Sequence, residues 1–180
     1  MSIIDVMGSN FYDYKQIKEI NREIEKHTFK KEMPIDGITN ANKKGDFYHV
    51  HCSPLMEWLH PWLSGCQQIN RNIFGYDIYW NFHLEMFNYN VYGIGDEYTW
   101  HVDANIENTR TDPKLTCLLN LSEEPYEGGE FYTISDPNKE REFHPGQGLV
   151  FTSSIGHKVS PITKGERKTL SYWAHGPLWR

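Results

Sequence analysis

The sequence contains no long hydrophobic run and no segment of low complexity. None of its apolar stretches approaches the about 20 residues that a membrane-spanning helix needs. The opening stretch, MSIIDVMGSNFYDYK, has neither the basic start nor the apolar core of a signal peptide. No internal repeat and no obvious linker occurs along the 180 residues. We therefore expect one globular domain over residues 1–180, without a membrane partner.

Cysteine and clustered positive charge are also scarce. The three cysteines, Cys52, Cys66 and Cys117, are scattered and odd in number. This argues against a disulfide framework and favours a reducing, cytoplasmic location. No Lys/Arg block is longer than two residues, and the formal net charge is −6. Because nucleic-acid-binding proteins usually carry a basic patch, we expect no nucleic-acid partner.

The chain is instead rich in aromatic residues, which make up 14% of it within a hydrophobic content of 38%. This composition is typical of a globular protein with a packed core. The first half predicts helices. Apolar residues recur at helical spacing from Tyr14 to Ile24, and either Asn10 or Asp13 is expected to cap this helix.

A second helical region follows. Ser53 and Pro54 form a typical helix start, with proline at the first helical position. Pro61 is expected to interrupt this helix, which then continues until Gly75. Residues 1–77 are therefore predicted to form mostly helical support.

From residue 78 onward, short segments rich in Phe, Tyr, Val, Leu and Thr are separated by Gly, Pro, Asp and Asn. These segments predict strands of an antiparallel sandwich or barrel, with the helices packed outside it. The side-chain parity changes within the first segment, which predicts a β-bulge near Met86. The expected strands lie at residues 79–92, 97–103, 114–121, 129–134, 148–152, 157–161 and 167–174.

The triplet His101-Val102-Asp103 lies on one of these strands. An imidazole and a carboxylate two residues apart on an extended segment point to the same side. The triplet alone fits a metal site and a solvent-facing polar pair about equally well. His157 is a candidate third ligand, because a sandwich brings late strands beside early ones. Two histidines and one carboxylate are the facial set that binds Fe(II) and leaves coordination positions open.

A second set of polar residues follows His157. Arg167, Thr169, Ser171 and Trp173 share one face of the predicted last strand. Arginine binds a carboxylate with a planar fork and keeps its charge, and a neighbouring hydroxyl adds a hydrogen bond. An iron site beside an Arg-Thr clamp describes a pocket for a chelating keto acid.

These motifs together resemble the Fe(II)/2-oxoglutarate-dependent dioxygenase superfamily, and within it the prolyl 4-hydroxylase-like branch. The resemblance runs from about Phe87 to Trp173, half of the chain, with its elements in order. The elements that carry it are His101-x-Asp103 preceded by Tyr98, LTCLLNLS at 115–122, GGEF at 128–131, GQGLVF at 146–151, His157, and Gly165-x-Arg167-x-Thr169 with Trp173.

The resemblance implies a jelly-roll (double-stranded β-helix) core at residues 78–176, within a mainly β fold with flanking helices. It implies that His101, Asp103 and His157 bind Fe(II). It also implies that the 2-oxoglutarate pocket is formed by six further residues: Arg167 and Thr169 as the carboxylate clamp, Tyr92 and Tyr98 as lining, Trp173 as the cover on the iron side, and Asn120, where some relatives have a clamp tyrosine.

The implied reaction is an Fe(II)-dependent hydroxylation in which O2 and 2-oxoglutarate are consumed and succinate and CO2 are formed. The expected substrate is a prolyl group, peptidyl or free. Another amino acid, a small metabolite or a nucleobase is the alternative within the same class. A non-catalytic jelly-roll module that binds a sugar or peptide is the alternative of another class, although an intact ligand set argues against it.

A rival metal signal is His49-Val50-His51-Cys52, which resembles a zinc or cupin-type pair. It has no distant partner in a comparable context. The stretch FYHVHCS is therefore interpreted as a short edge strand.

Overall fold

The computed structural model describes residues 6–30, 43–82, 86–104 and 111–178. Both predicted helices are present, as α1 (Tyr14–His27) and α2 (Met56–Ile69). Asp13 caps α1 by accepting a hydrogen bond from the Gln16 backbone N–H, while the Gln16 side chain accepts from the Asp13 backbone. No helix in the described part of the chain is long and apolar enough to cross a membrane.

The predicted interruption at Pro61 is wrong, because Pro61 lies inside a continuous α2. Proline removes one backbone donor, the one that would bond the carbonyl of Glu57. Both residues lie on the exposed side of the helix, where water can satisfy that carbonyl. A 3₁₀ turn at Ser53–Leu55 precedes α2, and a π-helical turn at Asn70–Phe74 follows it. Gly75, in the left-handed region with φ of 69°, ends the run as predicted.

The described residues form thirteen strands, and all the pairings between them are antiparallel. In chain order they are β1 (Val6–Asn10), β2 (Thr28–Lys30), β3 (Asp46–His51), β4 (Met86–Tyr92), β5 (Tyr98–His101), β6 (Asp112–Asn120), β7 (Glu127–Gly128), β8 (Phe131–Thr133), β9 (Asp136–Arg141), β10 (Gln147–Thr152), β11 (His157–Val159), β12 (Ile162–Lys164) and β13 (Arg167–Gly176).

Two sheets build the core. The major sheet has the order β1-β10-β6-β13-β4-β3-β2, the minor sheet has the order β5-β11-β8-β9, and β12 and β7 form a separate pair. This confirms the predicted mainly β fold with flanking helices and a jelly-roll core. β1, β2, β7, β9 and β12 were not predicted. β1 and β2 are short edge strands beside a stronger helical pattern, β7 and β12 have only two and three residues, and β9 (DPNKER) is polar throughout.

The first predicted strand, 79–92, is too long. A strand is present only from Met86, and the Tyr79 backbone N–H instead donates to the carbonyl of His175. The pairing of β4 with β3 runs from Met86 to Val91 without a register shift, so the described strand has no bulge. The change of parity at Met86 therefore marks the start of the strand. Residues 83–85 lie outside the described part of the chain. The other predicted strands are confirmed with small shifts at their ends.

Strand alternation sends side chains of the major sheet into two separate cores. In β6, Leu115, Cys117 and Leu119 pack against the helices. Leu118, on the opposite face, joins a smaller cluster with Phe131 of the minor sheet. The inner face of the major sheet thus lies against the minor sheet, and polar side chains on that face form the wall of a pocket.

Candidate active site

The predicted metal ligands meet at one point between the two sheets. His101 ends β5, Asp103 follows it by two residues, and His157 begins β11, directly opposite His101 in the antiparallel ladder. The Nε2 atoms of His101 and His157 lie 3.6 Å and 3.5 Å from the two carboxylate oxygens of Asp103. The three ligand atoms all lie within 4.8 Å of one another. The pairing of β5 with β11 thus brings together His101 and His157, which are 56 residues apart in the sequence.

Both imidazoles are oriented by backbone hydrogen bonds. His101 Nδ1 donates to the carbonyl of Thr99 (2.7 Å), and His157 Nδ1 donates to the carbonyl of Ile155 (3.0 Å). Each ring is thereby fixed in the tautomer whose Nε2 lone pair faces the cluster, which is the form that binds a metal. Burial, together with the nearby His157, lowers the pKa of His101 to about 4. The neutral ring is therefore the dominant form of His101 near neutral pH.

Asp103 is held by residues that the sequence did not identify as part of the site. Thr116 Oγ1 donates to Asp103 Oδ2 at 2.7 Å and lies 3.1 Å from the hydroxyl of Ser153. The backbone N–H of Asp103 donates to the carbonyl of Ser153 at 3.0 Å. The only sequence signal for Thr116 is its parity with Leu118 on the inner face of β6. These bonds fix the direction in which the carboxylate points.

Arg167 lies at the inner end of the pocket and is 1% exposed. Its guanidinium lies over the rings of Tyr92 and Phe143, at 5.5 Å and 5.3 Å from their centres. Its Nε and Nη2 atoms have no hydrogen-bond partner among the described residues. Burying a charged donor without a partner is costly, so this guanidinium requires an anion. Thr169 lies two residues further along the same face of β13.

Three of the predicted lining residues, Tyr92, Tyr98 and Trp173, also border the pocket. The Tyr98 ring stacks on the His101 ring with 3.4 Å between their centres. Burial raises the pKa of Tyr98 to about 12 and also raises the pKa of Tyr92, so both hydroxyls remain protonated. Trp100, in contrast, is partly exposed, and Lys158 lies over its ring.

Asn120 is the predicted site residue that the structure does not bring into the pocket wall. It is fully buried, and its amide donates to the hydroxyl of Tyr126 (3.0 Å) and the carbonyl of Phe143 (2.7 Å). Its carbonyl oxygen accepts from the Ser122 backbone N–H. Strand parity correctly predicts that Asn120 lies on the inner face, but it does not predict which neighbouring groups form hydrogen bonds with its amide.

Three further polar residues of the pocket wall, Asn90, Ser171 and Lys43, had no site role assigned from the sequence. Asn90 of β4 donates through Nδ2 to Ser171 Oγ at 3.0 Å and to Thr169 Oγ1 at 3.3 Å, and its Oδ1 accepts from Lys43 Nζ at 3.0 Å. Ser171 was noted only as a neighbour of the clamp on the same face. Asn90 has the same parity as Tyr92, which is the one signal that identifies it. Lys43 lies outside the segment that carries the family resemblance.

The rival pair His49 and His51 lies on β3. Within the described ranges, the one group of three His, Cys, Asp or Glu side chains close enough to bind a metal is His101, Asp103 and His157. The reading of FYHVHCS as a strand of the sheet is confirmed, although β2 pairs beside β3 and makes it internal.

The side chains of this pocket fit Fe(II) and 2-oxoglutarate. Two imidazoles and one carboxylate converge on a single point and leave open positions for a chelating cosubstrate. The partnerless donors of Arg167 match the distal carboxylate of a dicarboxylic acid in charge and geometry.

Comparison with known sequences agrees with this chemistry. A sequence model of the 2OG-Fe(II) oxygenase superfamily matches residues 87–175. A PKHD-type hydroxylase of Synechococcus sp. (strain CC9605) is 38% identical over 82 residues, which cover 44% of this chain and 36% of the relative. A PKHD-type hydroxylase of Idiomarina loihiensis is 40% identical over 88 residues, covering 47% and 39% of the two chains. The matched part spans less than half the length of these curated relatives.

Comparison with solved structures supports the fold over almost the whole chain. A viral collagen prolyl hydroxylase of Paramecium Bursaria Chlorella virus-1, solved with 2OG, superposes with a TM-score of 0.71 at 15% identity. The superposition covers 95% of this chain and 96% of the viral chain. A prolyl hydroxylase of Trichoplax adhaerens, solved with a hypoxia inducible factor peptide, gives a TM-score of 0.72 at 16% identity and covers 94% and 83%.

Proposed function

Because the chain belongs to the 2OG-Fe(II) oxygenase superfamily through residues 87–175, we propose that it is an Fe(II)- and 2-oxoglutarate-dependent hydroxylase. The observation that carries this proposal is the geometry of the pocket. Two imidazoles and a carboxylate converge at one end, and a buried guanidinium with partnerless donors lies at the other. The proposed catalytic core is residues 78–176, and residues 1–77 support it.

His101, Asp103 and His157 are proposed to bind the iron. The backbone carbonyls of Thr99 and Ile155 accept hydrogen bonds from Nδ1 of the two rings, which leaves Nε2 of each ring directed at the metal. Iron with bound 2-oxoglutarate and O2 supplies the oxidising power that converts a C–H bond into C–OH, with succinate and CO2 as the other products.

Arg167 is proposed to bind the distal carboxylate of 2-oxoglutarate. The Tyr92 and Phe143 rings hold the guanidinium by cation–π contacts, and Thr169 adds a hydroxyl on the same strand face. Asn120 supports this clamp indirectly. Its amide donates to the backbone carbonyl of Phe143, and the ring of Phe143 lies against the Arg167 guanidinium. We therefore assign Asn120 a positioning role and not a direct contact with the cosubstrate.

Aromatic and aliphatic side chains are proposed to keep water away from the reacting bond. Tyr98 covers one side of the His101 ring, and Trp173, Leu118 and Phe131 complete the wall. A dry pocket favours productive oxidation of the substrate over side reactions.

A prolyl group, peptidyl or free, is the proposed substrate. Support comes from two proteins of similar structure, a viral collagen prolyl hydroxylase and a prolyl hydroxylase solved with a peptide. Another amino acid, a small metabolite or a nucleobase would use the same iron chemistry. The three cysteines are buried and form no disulfide bond within the described part of the chain, which agrees with the proposed location in a reducing cytoplasm.

The experiment is an oxygen-dependent turnover assay. The protein is loaded with Fe(II) and 2-oxoglutarate under nitrogen and then exposed to O2, with prolyl peptides and free L-proline as substrates. We expect succinate to form and the substrate to gain the mass of one oxygen atom. If 2-oxoglutarate is consumed but no prolyl compound gains oxygen, the reaction class stands and the substrate is wrong. If no succinate forms, with or without substrate, the hydroxylase proposal fails.

Arg167→Met provides a second arm of this experiment. It should raise the dissociation constant for 2-oxoglutarate at least tenfold and leave metal affinity unchanged, since the residue contacts no metal ligand. Arg22→Met, an arginine on the exposed side of α1, is the matched control. Equal loss of metal and 2-oxoglutarate binding in Arg167→Met would contradict the assignment.

A further inference from the structure

Arg141 lies beside the candidate active site, and the proposed reaction does not use it. It ends β9, the edge strand of the minor sheet, and pairs with Phe131 of β8. Residues that pair directly in an antiparallel ladder point to the same face of the sheet. The Phe131 ring lies 5.5 Å from the His157 ring, centre to centre, on the inner face. The Arg141 side chain therefore points inward, toward the major sheet.

A hydrogen bond shows where the guanidinium lies. Arg141 Nη2 donates to Thr133 Oγ1 at 3.3 Å. Thr133 is fully buried and pairs directly with His157 on the neighbouring strand. Because neighbouring strands are about 5 Å apart, the guanidinium is about 5–10 Å from this proposed iron ligand. Ile134 and Ser135, which follow β8, are exposed. The guanidinium is thus close both to the proposed iron site and to the surface.

The Arg141 guanidinium has donors that no described residue accepts. Arginine offers five N–H donors, and Thr133 accepts from Nη2 alone. The Nε atom is buried and has no hydrogen-bond partner among the described residues. The ion pairs within the described ranges do not include Arg141. Glu140 and Glu142, its neighbours in the sequence, are exposed. No described carboxylate therefore balances this charge.

A purely structural role does not explain this placement. An arginine of the surface keeps its head group in water, and a buried one is usually paired. Burying a donor of a charged group without a partner is costly, so Arg141 requires an anion, as Arg167 does.

The cosubstrate cannot supply this second anion. One carboxylate of 2-oxoglutarate is proposed to bind Arg167, which lies on β13 of the opposite sheet, and the keto-acid end is proposed to bind the iron. Both carboxylates of 2-oxoglutarate are therefore used. The anion at Arg141 must belong to another molecule, and the primary substrate is the other molecule that the reaction brings to the iron.

We propose that Arg141 binds a carboxylate of the primary substrate and positions that substrate beside the iron. This inference rests on the proposed function. A guanidinium matches a carboxylate because its planar fork donates two parallel hydrogen bonds. The carboxylate is that of a free amino acid or of an acidic residue in a peptide. In both cases the substrate class narrows to molecules with a carboxylate within about 10 Å of the hydroxylated C–H bond.

NMR titrations of the full chain test this proposal without turnover. The protein is loaded with Zn(II), which is diamagnetic, and saturated with 2-oxoglutarate. The probe is acetate, with acetamide as its neutral analogue. The signal is the Nε–H resonance of Arg141, assigned by its loss in Arg141→Gln, and Arg22, on the exposed side of α1, supplies the control resonance. We expect acetate to shift the Arg141 resonance to a saturating value and to leave Arg22 unchanged, and acetamide to shift neither.

Calorimetry of the same loaded protein identifies the source of the carboxylate. L-Proline and L-prolinamide represent a free amino acid, and acetyl-Glu-Pro-amide and acetyl-Gln-Pro-amide represent a peptide. We expect the acidic member of one pair to bind at least tenfold more tightly than the neutral member. Arg141→Gln should abolish this preference, and Arg141→Lys should retain part of it. Lys139→Met, which removes a positive charge at an exposed position of β9, is the matched control and should retain all of it.

The inference is overturned if acetate moves the Arg141 resonance no further than acetamide does, or moves it without saturation. It is also overturned if Arg141→Gln prefers the acidic probe as strongly as Lys139→Met does. A saturating acetate shift without binding of any prolyl probe supports the carboxylate site and contradicts a prolyl substrate. If 2-oxoglutarate does not shift the Nε–H resonance of Arg167, the hydroxylase proposal fails. The acetate titration of the Zn(II)-loaded protein then still decides whether Arg141 binds a carboxylate.

Discussion

Replacing Gly129 by alanine should weaken 2-oxoglutarate binding, although Gly129 itself is a proposed ligand of neither the iron nor 2-oxoglutarate. Gly129 has a φ of 68°, and a Cβ built there would lie 2.4 Å from Ile162 Cδ1 and 2.9 Å from Arg167 Cδ. The Ile162 methyl is the end of a flexible side chain and can move. The Arg167 methylene adjoins the guanidinium, so its displacement moves the anion-binding group itself.

Gly75→Ala is a matched control, because Gly75 has a φ of 69° and its Cβ would contact nothing within 4 Å. Both variants should lose about 1–2 kcal/mol from the left-handed backbone. Gly129→Ala should lose about a further 1–3 kcal/mol from overpacking. A tenfold loss of 2-oxoglutarate affinity corresponds to about 1.4 kcal/mol, and we expect at least this loss for Gly129→Ala and none for Gly75→Ala.

Urea denaturation gives the free energy of unfolding, and calorimetry of the Mn(II)-loaded protein gives the 2-oxoglutarate dissociation constant. The reasoning is refuted if Gly129→Ala binds 2-oxoglutarate as tightly as Gly75→Ala does. It is also refuted if the two variants lose the same free energy of unfolding, since the contacts at Arg167 would then have no energetic consequence.

The remaining predictions concern the support of the metal site and of the core. Thr116→Val removes the 2.7 Å hydrogen bond to Asp103 and should weaken metal binding about 10- to 100-fold; an unchanged metal titration would contradict this role. Adding Mn(II) should raise the thermal unfolding midpoint and chelation should reverse the rise, because the metal binds only the folded site; a midpoint independent of Mn(II) would count against the site. Asn21→Leu should cost about 1–3 kcal/mol in urea denaturation and spare metal binding, because the Tyr89 hydroxyl and the Leu121 carbonyl lose their partner.

The sequence predicted those features that depend on local periodicity. The helical spacing from Tyr14 to Ile24 correctly predicted α1, whose apolar face is buried. The alternation of side chains correctly predicted that Arg167 and Thr169 share the inner face of β13. In both cases, the face of an element decides what a side chain contacts. The candidate metal ligands His101, Asp103 and His157 were predicted instead from the motifs that carry the family resemblance, and the pairing of His157 with His101 brings them together.

The features that were missed depend on partners far away in the sequence. Tyr79 has the composition of a strand residue, yet its backbone bonds to His175 outside any ladder of β4. Asn120 lies on the strand face expected of a clamp residue, but its amide donates to the backbone carbonyl of Phe143. Lys43 enters the pocket through its bridge to Tyr98. A periodic pattern carries no information about such tertiary partners, and a family resemblance that begins near residue 87 does not reach Lys43.

The most direct test of the proposed iron site is an anaerobic visible titration with Fe(II) and 2-oxoglutarate. We expect a weak charge-transfer band that needs both additions and saturates at one iron per chain. The band should be absent in His101→Ala, and in Arg167→Met it should require at least tenfold more 2-oxoglutarate. A protein that forms no band, or a His101→Ala variant that forms it as wild type does, would contradict the assignment of this pocket.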